Sequence, residues 1–171
     1  MELVKDGLVL RPFAEEDVAD KVRIINDAHN NTYLHYDLPL TKEGTKNWFN
    51  TLKERRDRLD LTIVKNGVVA GFIGLLSIDN KNKKAEYYIC VDYKFAGQGI
   101  GTIASKLLLN YAFTQLNLNK IYLYTEQDNI PAQKLFEKIG IKQEGLLKDD
   151  IIYNERKISR YAYGICKEDY V

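Results

Sequence analysis

The chain has 171 residues, 45% apolar and 29% charged, which is ordinary for a globular protein and excludes a disordered or low-complexity one. Its 25 basic and 24 acidic side chains leave a net charge of +1 spread along the chain, so no basic stripe exists for a nucleic-acid partner. No apolar run approaches membrane-spanning length and Glu2, Asp6, Glu15, Glu16 and Asp17 interrupt the start, so the sequence reads as one cytoplasmic domain over 1–171, with neither signal peptide nor membrane partner.

Leu8-Val9-Leu10-Arg11-Pro12 reads as a short strand stopped by proline, and Glu15 to Ala28 as a helix with Val18, Val22 and Ile25 at helical spacing. Residues 29 to 40 look irregular, and Thr41 caps a second helix carrying Trp48, Phe49 and Leu52. Leu61 to Val64 and Val68 to Ile78 are joined by Asn66-Gly67, whose tolerance of positive φ suits a tight hairpin. Ala85 to Val91 makes a third antiparallel strand.

The pattern then changes. A glycine loop leads to a helix with Ala104, Leu107, Leu108, Tyr111 and Ala112 on one face, then to a strand at Ile121 to Thr125, which makes one βαβ unit. Asn129 caps a short helix with Pro131 in its first turn, Gly140 after its end, and Leu135, Phe136 and Ile139 inward. Lys142 to Leu147 and Lys157 to Cys166 form a closing hairpin, so the fold class is α+β (mixed α/β). Cys90 and Cys166 sit in apolar, strand-like contexts and read as reduced packing residues, and His29 and His35 have no ligand spacing, so no metal is expected.

Chemistry concentrates in Phe95-Ala96-Gly97-Gln98-Gly99-Ile100-Gly101-Thr102. Alternating glycines between a strand and a helix let bare amides converge on an anion, and the helix N-terminus adds partial positive charge. A tight strand-to-helix turn would also use glycine, but three in this window exceed what a turn requires, so a diphosphate is the expected ligand. Gly99, Gly101 and Ala104 satisfy the dinucleotide fingerprint, with Glu126 near the ribose-binding position, but the preceding antiparallel strands and the lone βαβ unit argue against that fold. The Walker spacing fails outright.

With Ala85-Glu86 and its strand, the loop at 97–102, and Asn129-Ile130-Pro131-Ala132 through Lys138-Ile139-Gly140, the chain resembles the GCN5-related N-acetyltransferase (GNAT) superfamily, in its RimJ/RimL-like and spermidine acetyltransferase-like branches. The resemblance runs from Leu8 to Tyr161. It implies a mostly antiparallel twisted sheet of about seven strands flanked by about four helices, splayed between strands 4 and 5. It also implies acetyl-CoA as co-substrate, a small-molecule amine as partner, Ile89, Cys90 and Val91 pairing with pantetheine, Ala96 to Thr102 around the pyrophosphate, and Asn129, Ala132 and Phe136 flanking the thioester arm. Two departures stand out: Ala96 replaces the loop's usual Gln or Arg, and Phe136 replaces a tyrosine that protonates the departing thiolate in many members.

The amine must arrive neutral and lose a proton, so a base is needed beside the acyl group, and Glu86 is the candidate. It reads equally as a solvent-facing strand residue beside Lys83 and Lys84. The oxyanion donor is expected in the amide of Val91 or a neighbour. Tyr33, His35, Tyr36 and Tyr88 are the candidate acceptor-pocket residues, although twelve tyrosines also supply core and surface positions, and Asp149, Asp150 and Tyr153 offer a site for a cationic amine. Amino-terminal acetylation of a protein and a non-catalytic acyl-CoA sensor are the competing readings, and a homodimer is left open.

Overall fold

The computed structural model describes residues 1–170. Eight strands form one sheet: β1 (Leu3–Lys5), β2 (Leu8–Pro12), β3 (Leu59–Lys65), β4 (Val68–Asp79), β5 (Lys84–Val91), β6 (Lys120–Glu126), β7 (Lys142–Tyr153) and β8 (Arg156–Cys166), in spatial order β1-β2-β3-β4-β5-β6-β8-β7. Five helices cover it: α1 (Val18–Asn26), α2 (Ala28–Asn31), α3 (Lys42–Thr51), α4 (Ile100–Thr114) and α5 (Ile130–Lys138). Every neighbouring pair is antiparallel except β5 with β6.

That exception shapes the molecule. Parallel pairing joins Lys84 to Lys120, Ala85 to Ile121 and Glu86 to Tyr122, then stops, while β5 continues to Val91 and β6 to Glu126. The two strands splay into the expected V. Backbone direction alternates along a strand, and the Asp92 N–H donates across to Ala70 O on the β4 side, so Ile89 and Val91 turn their N–H and C=O groups into the open V. Cys90 turns its own backbone back to β4, against the expectation that it pairs with pantetheine.

Two apolar clusters occupy the two faces of the sheet. The larger combines α4 and α5 with β2 to β6, through residues such as Ala104, Leu108, Ala112, Ile73 and Ile121, all fully buried. The smaller joins Phe13, Val18, Ile24 and Phe72 with Trp48 and Phe49 beneath α1 and α3. Phe13 meets Trp48 edge-on at 5.2 Å and Phe72 at 5.7 Å, a geometry that favours the aromatic quadrupoles.

The sequence underestimates the elements in three places. β1 is added because Asp6 and Gly7, both at positive φ, turn the chain back for three residues onto β2. The helix expected over 15–28 is a 3-10 turn at Glu15–Asp17, then α1, then α2, because Asp27 is extended and its carboxylate caps the His29 N–H. β7 runs on to Tyr153 rather than ending at Leu147, through register shifts between Gln143 and Gly145 and between Leu147 and Ile151.

Candidate active site

The glycine loop opens at one mouth of the V. Gly97 and Gly99 adopt φ of 76° and 73°, the left-handed region that costs any other residue strain, and a Cβ on either would meet nothing within 4 Å. Among the described residues, the N–H groups of Gly97, Gln98, Gly99, Ile100, Gly101 and Thr102 find no acceptor, while the Ile103 N–H bonds to Gly99 O as α4 begins. Donors standing free at a helix N-terminus fit a diphosphate. They do so with Ala96 in place of a polar side chain, because the cradle is made of backbone. The start of the loop is clamped from the other face: buried Asp92 accepts from Arg23 at 3.0 Å and Asn30 at 3.2 Å, and the Tyr93 N–H donates to Asn30 Oδ1 at 2.8 Å.

A cleft of about 900 Å³ opens on the α1–α3 face, and Tyr33, His35, Tyr36, Glu86 and Tyr88 all line it. Its roof is the segment 32–40, held across the V by the Tyr33 hydroxyl on Asp128 O at 2.9 Å and by His35 Nε2 against Glu126 Oε1 at 2.6 Å. Tyr153 donates to Tyr36 O at 2.7 Å, and Asp150 pairs with Arg160, so these two brace the loop and the hairpin instead of binding an amine. Asp149, whose N–H donates to Ser159 Oγ, is likewise outside the cleft lining. Tyr88 is tied through its hydroxyl to Asp60 Oδ1 at 2.7 Å, and burial together with that carboxylate drives its pKa well up.

Glu86 sits half-buried in the cleft wall with no hydrogen bond or ion pair among the described residues. Burial raises its carboxyl above the ordinary value, with Arg160 partly offsetting. A carboxylate in that condition is a better proton acceptor near neutral pH than a solvated surface glutamate.

On the opposite side of the V, Asn129 caps α5 by accepting the Ala132 N–H at 3.3 Å. Phe136 is 5% exposed and lies in the larger core, edge-on to Tyr87 at 6.1 Å and tilted on Tyr163 at 5.5 Å. It is therefore a packing residue of α5, which its helical spacing had also placed inward. Cys90 and Cys166 are free thiols, and burial pushes the Cys90 thiol up to about 11, so it faces the cleft protonated. Among the described residues no three His, Cys, Asp or Glu side chains gather as a metal site, and no helix is long and apolar enough to cross a membrane.

Sequence reasoning passed over Lys21, Trp48 as a cleft residue, and the Arg58–Asp60 pair, whose two bonds measure 2.6 and 2.7 Å. The missed signal is Lys21 itself, which stands between Val18 and Ile25 on the inward stripe of α1.

Known proteins supply a frame for this geometry. A sequence model of the acetyltransferase (GNAT) domain matches residues 7–142. An uncharacterised N-acetyltransferase, p20, of Bacillus licheniformis is 30% identical over 162 residues, covering 94% of this chain and 79% of that one. The spermidine N(1)-acetyltransferase of Escherichia coli K12 is 35% identical over 89 residues, about half of each chain at 52% and 48%. The crystal structure of spermidine N-acetyltransferase from Vibrio cholerae, in complex with CoA and spermine, superposes with a TM-score of 0.90 over 97% of this chain and 99% of that one, at 23% identity.

Proposed function

The chain belongs to the acetyltransferase (GNAT) family and is an acetyl-CoA-dependent N-acetyltransferase, and we propose that it acetylates the primary amine of a small molecule by direct attack in a ternary complex. The observation that carries this reading is the V between β5 and β6, with free loop amides beyond its open end and, where Glu86 still pairs with Tyr122 at its closed end, the polar cleft that Glu86 lines.

Bound acetyl-CoA supplies a thioester carbonyl. Amides from Gly97 to Thr102 hold the diphosphate, the inward-turned backbone of Ile89 and Val91 holds the pantetheine arm, and Asn129 steadies it from the start of α5. The N–H of Val91 or Ile89, turned into the V, is the donor for the carbonyl oxygen where negative charge develops. Glu86 takes the amine proton, directly or through one water. Phe136 cannot donate a proton, and none is required from it, because a thiol of unperturbed pKa near 8.5 leaves readily and can be protonated by water. The relatives named for spermidine support a small amine as the acceptor class.

The test is CoA thiol release across polyamines, amino sugars, amino acids and short peptides, beside Gly99→Trp. Turnover with one class of small amine, abolished when Gly99 is filled, is the expected result. Acetyl-CoA binding without turnover on any amine would make the chain a sensor, and turnover on peptides alone would make it a protein amino-terminal acetyltransferase.

A further inference from the structure

Lys21 on α1 is 5% exposed and points into the cleft, where its ammonium stands 4.3 Å from the Trp48 ring centre, 5.2 Å from Phe72, 5.7 Å from Phe13 and 5.9 Å from Tyr36. Among the described residues it has no carboxylate within ion-pair distance. Its nitrogen is nevertheless not sealed, since among the described residues no fully enclosed side-chain nitrogen or oxygen lacks a hydrogen-bond partner. A buried charge without a counter-ion is costly, and aromatic faces offset only part of that cost. Burial lowers the ammonium to about 8, with Asp60 and Cys90 opposing and Arg58 reinforcing the shift, so it remains largely charged at neutral pH.

The other charges around the cleft are accounted for. Asp60 is engaged by both arms of the Arg58 fork and by Tyr88, and Glu126 is engaged by His35. Cys90 is protonated. Glu86 is left free in the wall, Asp37 is exposed at the rim, and Lys21 stands as an unpaired cation in the floor. An aromatic box of this kind would suit a substrate ammonium, but the protein's own ammonium already fills it.

We propose that Lys21 reads an anionic group, carboxylate or phosphate, on the acceptor, so that the amine acetylated in this cleft carries a negative charge and is not a bare polyamine. The inference rests on the acetyl-transfer reading, which puts the acceptor in this cleft. Glu86 and Lys21 then divide the acceptor between them: the carboxylate serves the amine end and the ammonium pairs the anion. The cost of burying Lys21 unpaired is recovered when that anion arrives.

Matched pairs that differ only in the anion test it: phenethylamine against phenylalanine, ethanolamine against phosphoethanolamine, and spermidine as polycation, all followed by CoA thiol release. One member bearing the anion should exceed its anion-free partner by about 10- to 100-fold in kcat/KM, the range of a charge-assisted hydrogen bond, and which pair responds identifies the anion. In Lys21→Met that ratio should collapse, chiefly through KM, while the melting temperature does not fall, because an unpaired buried charge has been removed. Lys21→Gln should collapse the ratio as well, and it provides the same reading if the methionine variant fails to fold. A preference for spermidine or the anion-free members, or a ratio unchanged in both variants, overturns the anion reading and leaves acetyl transfer standing. No CoA release with any amine overturns acetyl transfer itself, and this inference with it.

Discussion

The two faces of the sheet are built differently. Under α4 and α5 the contact is almost wholly apolar, and its few polar groups are closed off locally: Tyr87 bonds Ser105 at 2.6 Å, and Ser105 donates to Gly101 O one helical turn back. Under α1 and α3 the apolar cluster is small and shares its space with Lys21, Arg58, Asp60 and Tyr88. The first face supplies stability from dry, close-packed surface. The second gives some of that up to keep charges and a cleft within reach of an acceptor, as functional sites commonly do.

Changes placed on opposite faces should therefore separate activity from stability. The largest effect is expected at Glu86. Glu86→Gln should lower kcat by about 10²- to 10⁴-fold, the contribution of a positioned base, with acetyl-CoA affinity and melting temperature nearly unchanged. Because burial raises the Glu86 carboxyl, the wild-type rate should fall as pH drops through that raised value, where the carboxylate takes up its proton, and the variant should lose this limb. A pH profile of kcat measures both.

Leu108→Ala should do the reverse on the other face. Leu108 is fully buried, so truncation should cost about 2–5 kcal/mol in denaturant unfolding, while turnover per folded molecule is retained. Equal loss of turnover and stability would erase the distinction between the faces.

The smallest effect concerns Lys21 and pH. Its folded pKa of about 8 lies below the ordinary lysine value of 10.5, so below pH 8 both states carry the proton and the burial penalty is fully present. As pH rises from 8 towards 10.5 the folded protein releases a proton that the unfolded chain keeps, so this group's contribution to stability rises with pH, by at most roughly 3 kcal/mol. Urea unfolding of wild type against Lys21→Met across that window should show the rise only in wild type.

Much of this design is legible in local sequence. Asn66-Gly67 forces its hairpin, Thr41 and Asn129 cap their helices, and Gly97 and Gly99 occupy the left-handed positions their spacing suggests. The V was implied by family resemblance between the fourth and fifth strands, which are β5 and β6 once the added β1 is counted. Less was legible where neighbours decide. β1 is three residues of ordinary composition that become a strand only because β2 offers an edge, and Asp27 breaks a helical run through a cap that periodicity does not register. Asp150 and Tyr153 looked free for a ligand because nothing in the chain announces Arg160 or Tyr36 O as their partners.

The sequence by itself determined the main run of strands and helices, the Asn66-Gly67 turn and the amide-rich loop, because these follow from φ preferences, capping and hydrophobic period over a few residues. Only the tertiary structure decided which charges are paired. Arg58 and Asp60 are two apart and neutralise each other, His35 and Glu126 are joined across the V, and Lys21, on an inward stripe, is left without a counter-ion. Pairing depends on distance through space and on desolvation, and neither is a property of residues taken in order.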